Sequence, residues 1–527
     1  MRNLVQLIFL VFVPVLLIGL LIYDIQNLPG YNNLPELQEK YGEKKSDVTD
    51  HTRFEELKGP FRDAHAITAA CIKCHQERGH QLLKSHHFTW EKEEYIEGRG
   101  VVYHGKKNAL NNFCTGIAGS EMSCNRCHAG YGYSDKNFDF TNPENIDCLV
   151  CHDNSLTYEK AKGKAGYPID GIDYQQVFAR LSTPKKANCG TCHFNSAGGN
   201  NVKHGDLENA ILVSGKDVDV HMGNDGLNME CTDCHQTKEH VMKGRYYGLS
   251  STNQRRALCE DCHTAYPHKD GLLNEHTLKV SCKTCHIPTY AKVNPTKMSW
   301  DWSTATTKLD EKGQGVTIYD SSGVMIYLTD KGSFTWEKHA TPEYRFFNGT
   351  ADHHFLTDTI RQVPVQINRL NGSYADPQSK IIPLKIHRGS QPFDSVYNTI
   401  VQAKLWDPEK GKGALWVDYD WDAALKAGME YLELPFSGKY GFVRTEMYLP
   451  ISHMVSDADS ALSCKDCHIP ETGRLAGLGG FYMPGRDHHA GADGFGRFVI
   501  LVSLLGVLSH ASFRILSRKR RIAAAAH

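Results

Sequence analysis

Sixteen of the 17 cysteines in this 527-residue chain occur in eight copies of one pattern, Cys-x-x-Cys-His. Two thiols at this spacing can form thioethers with the two vinyl groups of one haem, and the adjacent imidazole can then bind the iron. The pattern therefore predicts eight covalently attached haem c groups. The attachment residues and their iron-binding histidines are Cys71, Cys74, His75, Cys124, Cys127, His128, Cys148, Cys151, His152, Cys189, Cys192, His193, Cys231, Cys234, His235, Cys259, Cys262, His263, Cys282, Cys285, His286, Cys464, Cys467 and His468.

Zinc ribbons and disulfide-rich proteins also contain Cys-x-x-Cys pairs. Neither requires a histidine directly after every second cysteine, so the pattern favours haem attachment. Charge is nearly balanced, with 59 Lys and Arg against 60 Asp and Glu, and 40% of the residues are hydrophobic. This composition argues against a disordered chain and against a nucleic-acid partner.

Seven motifs lie between Cys71 and His286. This crowding leaves too little protein for separate cores, so we predict a mostly α-helical and irregular seven-haem region over 49–290, organised around the haems. Residues 291–460 lack motifs and predict a mixed α/β insertion, with strands at Val316–Tyr319 and Val324–Leu328 and a helix at Asp422–Leu432. The eighth haem would attach within 461–470. The fold class is a multihaem cytochrome c with terminal transmembrane helices.

Both ends of the chain are apolar. Residues 1–24 contain the apolar run Leu4–Tyr23 and predict a signal sequence or an N-terminal membrane anchor. A second run at 498–516 predicts a C-terminal transmembrane helix, and the basic tail 517–527 places its end in the cytoplasm. The body would then be periplasmic or otherwise extracytoplasmic, anchored to the cytoplasmic membrane.

Histidines outside the motifs are candidates for the distal side of each iron. The better ones lie in loops near motifs, and Met222 or Met454 could replace a neighbouring histidine. The candidates are His51, His87, His204, His221, His240, His268, His276 and His453.

Cys114 is the cysteine that belongs to no motif. It lies ten residues before Cys124, which could place it over the second haem. A single thiol in an oxidising compartment is either buried and inert or reactive.

Several segments together resemble the octahaem tetrathionate reductase family over about residues 49–470. They are Asn111–Cys114, Ala129–Gly132, Cys148–Asp153, Val202–Leu207, Asp219–Met222 and Cys282–Pro288. The resemblance implies seven bis-histidine haems and one active-site haem with a lysine as distal ligand and a reactive cysteine nearby.

Carried over to this sequence, the catalytic residues are Cys114 and Lys203, at the haem attached by Cys124 and Cys127. Lys160 is an alternative for the lysine. Asn200 stands where the family has an acidic residue, so proton delivery differs here. The apolar C-terminal run also departs from the soluble members of the family.

Three functions remain open from the sequence. The first is a respiratory reductase of tetrathionate, with nitrite and hydroxylamine as further candidates for a small sulfur or nitrogen oxo-species substrate. Its electron donor would be a membrane or periplasmic protein, either a quinol-oxidising cytochrome b or a small cytochrome c. The second is a membrane-anchored electron conduit without a substrate. The third is an oxidoreductase of the hydroxylamine or hydrazine type, working in the oxidative direction.

Overall fold

In the computed structural model, the described residues are 49–96, 98–244 and 254–525, together with 15, 16 and 39. The predicted segment 1–24 therefore lies outside the described residues, apart from Val15 and Leu16. The chain divides into two compact units, one ending at Ala461 and one beginning at Leu462.

Short helices carry the motifs in the first unit. The longest, α1 (Ala64–Leu83), begins at Asp63, whose carboxylate accepts a 2.9 Å hydrogen bond from the amide of Ala66 and so caps the helix. The other helices up to residue 290 are α2 (His86–Thr89), α3 (Glu121–Cys124), α4 (Leu149–His152), α5 (Tyr174–Phe178), α6 (Lys186–His193), α7 (Cys231–Cys234), α8 (Gly271–His276) and α9 (Cys282–His286). Two hairpins interrupt them, β1 (Lys92–Ile96) with β2 (Gly100–His104) and β3 (Thr237–Lys238) with β4 (Val241–Met242).

A ten-stranded sheet occupies the region that lacks motifs. Its strands are β5 (Thr296–Asp301), β6 (Thr317–Tyr319), β7 (Met325–Leu328), β8 (Gly332–Glu337), β9 (Glu343–Phe347), β10 (Ala351–His353), β11 (Val365–Leu370), β12 (Lys380–Asp394), β13 (Thr399–Ile400) and β14 (Tyr440–Pro450). The main order is β10-β11-β14-β12-β5-β8-β7-β6, and β9 and β13 also pair with β12. The pairs β11–β14 and β12–β5 are parallel, and the others are antiparallel.

Two helices, α10 (Leu415–Asp418) and α11 (Trp421–Tyr431), lie between β13 and β14 in the sequence. In α11 the residues Trp421, Ala424, Leu425, Gly428 and Met429 are buried, at the three- and four-residue spacing of one helix face. The predicted helix and the two predicted strands are confirmed to within one residue at each end. The region is nevertheless dominated by its sheet.

The largest hydrophobic core joins this sheet to the motif-bearing region. Trp300, Trp302 and Leu425 belong to it, and so do Phe113 and Val202, which are 1% and 4% exposed. Phe113 precedes Cys114 and Val202 precedes Lys203. The regions that the sequence separates at residue 290 therefore share one core, and that core reaches the two predicted catalytic residues.

The second unit contains α12 (Cys464–Cys467) and α13 (Ala490–Ala525). Residues Ala490–Arg518 have a mean hydropathy of 1.9 over their most apolar window, and none of that window is buried. By length and composition, this helix is suited to cross a membrane.

Candidate functional site

Five motif histidines each face the ring of a second histidine. The pairs and the distances between ring centres are His75 with His51 at 6.5 Å, His193 with His87 at 6.3 Å, His235 with His453 at 6.3 Å, His263 with His221 at 6.1 Å, and His286 with His268 at 6.2 Å. Two imidazoles that bind one metal from opposite sides, each at about 2 Å, have centres about 6 Å apart. The geometry of these pairs therefore fits a haem iron between the rings.

Hydrogen bonds at Nδ1 orient several of these rings. His235 Nδ1 lies 2.9 Å from the carbonyl oxygen of Lys243, and His453 Nδ1 lies 3.1 Å from the carboxylate of Asp206. His152 makes a similar contact, 2.8 Å to the carbonyl of Ser182. An Nδ1–H that donates to an oxygen leaves Nε2 available as a metal ligand.

The remaining distal candidates differ in their placement. Burial, and next the nearby charge of His152, lower the pKa of His240, so these two histidines are neighbours. His276 Nδ1 lies 2.6 Å from the carbonyl of Leu272 within α8, and its prediction as a ligand is untested. His204 makes no ring contact with a motif histidine within the described ranges. Its charged neighbours include Lys203, Asp206 and the motif histidine His193, and its role as a distal ligand stays a prediction.

Cysteines of different motifs hydrogen-bond to each other. These contacts join Cys71 to Cys148, Cys127 to Cys192, Cys189 to Cys231, and Cys259 to Cys282. Each such thiol marks the edge at which a haem attaches. Haems attached at the first and third, second and fourth, fourth and fifth, and sixth and seventh motifs would therefore approach one another at these edges, which would suit electron transfer.

The second motif differs from the others. In the part of the chain that the structure describes, His128 makes no ring contact with another histidine; its ring packs against Phe88, Trp90 and Tyr133. Its Nε2 lies 2.5 Å from the carbonyl oxygen of Phe88, so binding of iron by this nitrogen requires a turn of the ring. Among the described residues, no second imidazole therefore faces the ring of His128.

Hydrogen bonds made by the two asparagines just before Phe113 fix the segment that carries Cys114. Asn111 Oδ1 accepts hydrogen bonds of 2.9 Å from the amides of Phe113 and Cys114. Asn112 Nδ2 donates a 2.7 Å hydrogen bond to the carbonyl of His387 on β12. Strand β12 therefore fixes the position of the thiol.

Four lysines are the strongest charged neighbours of this thiol. Burial raises the pKa of Cys114, whereas the charges of Lys106, Lys203, Lys331 and Lys297 lower it. Burial is the larger effect, so the pKa of Cys114 is raised and the neutral thiol is favoured, while the four lysines would attract a bound anion. Lys203 was predicted from the sequence, and the structure brings it together with Cys114.

Lys106, Lys297 and Lys331 were missed by the sequence reasoning. Lys106 is exposed, with its Nζ 4.8 Å above the ring of Trp90, and its charge also acts on His128. Lys297 lies on β5 and Lys331 directly precedes β8, in the region predicted as a mixed α/β insertion. A lysine in a strand ordinarily points to solvent, so no sequence signal marked these residues.

Lys160, the alternative to Lys203, has a different position. Its Nζ lies 3.2 Å from the carboxylate of Asp147 and donates hydrogen bonds to the carbonyls of His128 and Gly130, the latter at 3.0 Å. Since its amine is committed to these three partners, Lys160 holds the main chain at the second motif and is not placed to be the distal ligand.

Three buried histidines near the sheet were also missed. His104 and His353 have ring centres 4.5 Å apart, and His387 lies 4.2 Å from the ring of Phe113. Among the described residues, neither ring nitrogen of any of the three has a hydrogen-bond partner. Burial lowers the pKa of His104 to about 3, so this imidazole is neutral at physiological pH.

Comparison with known proteins gives three findings. The family model described as "Cytochrome c bacterial" matches residues 297–471. An uncharacterized protein of Archaeoglobus fulgidus is 26% identical over 250 residues, which cover 37% of this chain and 80% of that protein. The crystal structure of an octahaem cytochrome c from Shewanella oneidensis is similar with a TM-score of 0.73 and 40% identity, covering 80% of this chain and 94% of that chain.

Proposed function

Because this chain belongs to the octahaem c-type cytochromes, we propose that it is an extracytoplasmic reductase that transfers electrons to a small oxyanion at the second haem. The observation that carries this proposal is the group of four lysines around Cys114, next to the second motif, whose His128 has no ring contact with another histidine among the described residues. An electron conduit needs neither a thiol nor a cluster of cations. Tetrathionate is the proposed substrate, and nitrite and hydroxylamine are the alternatives.

The haems supply the electrons, and the residues of this chain bind and position the substrate. The thiolate of Cys114 attacks the central S–S bond of tetrathionate, because thiolates exchange readily with disulfide-like sulfur. One thiosulfate leaves, and the other half remains on the Cys114 sulfur as a sulfonated disulfide. Two electrons then break the new S–S bond, release the second thiosulfate and restore the thiolate, so that charge and atoms balance.

We also propose a lysine amine as the displaceable distal ligand of the second haem. A neutral amine can bind iron and can be released by protonation, which a second histidine would not do as readily. Lys203 is the proposed ligand, as the resemblance implies, because its charge acts on Cys114, which in turn acts on Cys124 of the second motif. Lys106 is the second amine at the same place, since its charge acts on Cys114 and on His128.

For the electron donor, we propose a membrane-bound quinol-oxidising cytochrome b or a small cytochrome c. Helix α13 supports a membrane location by its length and its exposed apolar side chains. The contacts between motif cysteines support a route from the fifth haem through the fourth to the second. The other seven haems would carry electrons only, as the resemblance implies.

The experiment is anaerobic reoxidation of the fully reduced holoprotein. Tetrathionate, nitrite and hydroxylamine are added separately, and the haem absorbance is followed. Fast reoxidation by tetrathionate, slowed about 100-fold or more in Cys114→Ser, is the expected result. If none of the three oxidants reoxidises the haems while a partner cytochrome does, the protein is a conduit and the proposal is wrong.

Variants separate the two lysines. Lys203→Ala is expected to change the absorption and paramagnetic-resonance spectra of one haem, whereas Lys106→Ala is expected to leave the ligand-field bands unchanged. Lys164→Ala, at an exposed lysine, is the matched control for both. The reverse result would assign the ligand to Lys106.

A further inference from the structure

Lys297 lies in a cage of aromatic rings on the sheet. Its Nζ is 3.4 Å from the ring centre of Phe334, 3.9 Å from that of Trp300 and 5.0 Å from that of Trp336, and the residue is 3% exposed. Strand pairing builds this cage, because Lys297 is opposite Trp336 and Trp300 is opposite Phe334 across β5 and β8. The faces of aromatic rings stabilise an ammonium ion but accept no conventional hydrogen bonds from it.

Other lysines with little exposure in this region have anionic or hydrogen-bonding partners. Lys331 Nζ lies 2.8 Å from the carboxylate of Asp330. Lys385 Nζ donates hydrogen bonds to three oxygens, on Val202, Lys203 and Thr296. Lys297, by contrast, has no carboxylate at ion-pair distance and no hydrogen bond from Nζ within the described ranges, so its N–H groups are available to a ligand.

The aromatic cage around Lys297 and the segment that carries Cys114 pack against the same hydrophobic core. The ring of Phe113 packs edge-on against Trp300 at 6.4 Å, and Trp300 packs edge-on against Phe334 at 5.1 Å. Cys114 packs against the same core. Lys297 is among the four lysines whose charge acts on Cys114, and Cys114 is one of the two groups whose charge acts on Lys297.

We propose that Lys297 is an oxyanion-binding residue beside Cys114, and that it receives the terminal sulfonate of a sulfur-containing dianion while the thiol reaches the sulfur chain. The proposal rests on the function proposed above and adds the residue that recognises the charge of the substrate. A buried cation without a counter-ion is costly to maintain, and a bound anion supplies that counter-ion. A neutral molecule such as hydroxylamine gains nothing from this residue.

The test uses the charge of a thiol reagent. In the holoprotein the sixteen motif cysteines are thioethers, so Cys114 is the thiol that alkylates. Its rates of reaction with iodoacetate, an anion, and with iodoacetamide, which is neutral, are measured by mass spectrometry of the peptide that contains Cys114. At pH 5.5, where Lys297 is mainly an ammonium ion, the iodoacetate-to-iodoacetamide rate ratio is expected to fall about tenfold in Lys297→Met and to be kept in Lys297→Arg.

Lys308→Met is the matched control. Lys308 Nζ lies 4.8 Å above the ring of Tyr327, but the residue is exposed. The iodoacetate-to-iodoacetamide rate ratio of Lys308→Met should therefore equal that of the wild type. The second measurement is thiosulfate binding to the oxidised holoprotein by equilibrium dialysis. If Cys114 reacts with neither reagent, this measurement by itself tests the role of Lys297. It is expected to weaken about tenfold in Lys297→Met.

Unchanged thiosulfate affinity in Lys297→Met, with an unchanged alkylation ratio where one is measurable, would overturn the assignment. Failure of the proposed function gives a result distinct from failure of the Lys297 assignment. It appears as a wild-type protein that none of the oxidants reoxidises, whereas the charge selectivity at Cys114 and the thiosulfate affinity are measured without turnover.

Discussion

Lys385 Nζ donates a 2.9 Å hydrogen bond to the main-chain carbonyl of Lys203, across 182 positions of the chain. The same amine donates to the carbonyl of Val202 at 2.9 Å and to Thr296 Oγ1 at 2.6 Å. Three acceptors match the three N–H groups of an ammonium ion. A buried cation on β12 thus fixes the segment that carries the proposed distal ligand.

Lys385→Met should therefore release this segment. The loss of three buried hydrogen bonds is expected to lower the free energy of unfolding by about 3 kcal/mol, and the spectrum of one haem should become heterogeneous. Urea unfolding and paramagnetic resonance of the oxidised holoprotein measure the two effects. Lys380→Met on the same strand, where Lys380 is 3.3 Å from Glu260 at the surface, should change stability by less than about 1 kcal/mol. Equal effects of the two variants would contradict the positioning role.

Lys160→Met should destabilise the protein without removing a ligand. The change leaves Asp147 buried without its cation and frees the carbonyls of His128 and Gly130. The expected cost is about 3 kcal/mol, reduced where Tyr131 and Tyr158 continue to donate to the carboxylate. Thermal unfolding of the holoprotein measures it, with the exposed Lys164→Met as control. Loss of a haem-ligand signal without loss of stability would instead return Lys160 to the list of distal ligands.

Asp394 at the end of β12 gives a pH-dependent contribution to stability. Burial would raise the pKa of its carboxyl group, but hydrogen bonds from the amides of Ser437, Tyr397 and Val396 and from the Ser437 hydroxyl lower it below its usual value. Its contribution is therefore fully present above the pKa of the unfolded state, about 3.9, and is lost as the pH falls through the folded-state value.

Asp394→Asn should accordingly lower the free energy of unfolding by about 2 kcal/mol at pH 6. The difference from the wild type should shrink below about pH 4. Urea unfolding at pH 6 and at pH 3.5 measures both values, and Asp422→Asn, at an exposed position of α11, serves as control. A difference that is the same at both pH values would mean that the carboxylate charge contributes nothing.

The sequence predicts the haem-attachment residues more completely than the residues around Cys114. The eight motifs are local patterns, and so is the buried face of α11, whose apolar residues repeat at helical spacing. Cys114 could be found because it is the cysteine outside the motifs. These features depend on neighbours a few residues away, which a sequence displays directly.

Lys297 and Lys385 could not be found in the same way. Strand β12 is buried on both faces from Ile381 to His387, so it lacks the alternation that would show which side Lys385 faces. Lys297 acquires its cage only when β5 pairs with β8. The core shared across residue 290 could not be foreseen for the same reason, because Phe113 and Val202 reach the sheet through contacts between distant parts of the chain.

The last prediction concerns the pH dependence of anion binding at Lys297. Burial, and next the charge of Lys331, lower the pKa of Lys297 to about 6, while Cys114 opposes them. The other groups that feel its charge are Lys385, which is saturated by three acceptors, and His387, whose pKa burial holds well below its usual value. Burial also holds the pKa of Lys385 well below its usual value, so Lys297→Arg is the variant that assigns the titration to Lys297.

Thiosulfate binding requires the ammonium form of Lys297, so affinity should be highest below pH 6 and fall by up to about tenfold per pH unit above it. An arginine stays charged throughout this range. Lys297→Arg should therefore bind thiosulfate with an affinity that is nearly constant from pH 5.5 to about 8. Equilibrium dialysis of the wild type, Lys297→Arg and Lys308→Met at three pH values measures the slopes. The wild type and Lys308→Met should share the steep slope; the same slope in Lys297→Arg would assign the titration to a different group.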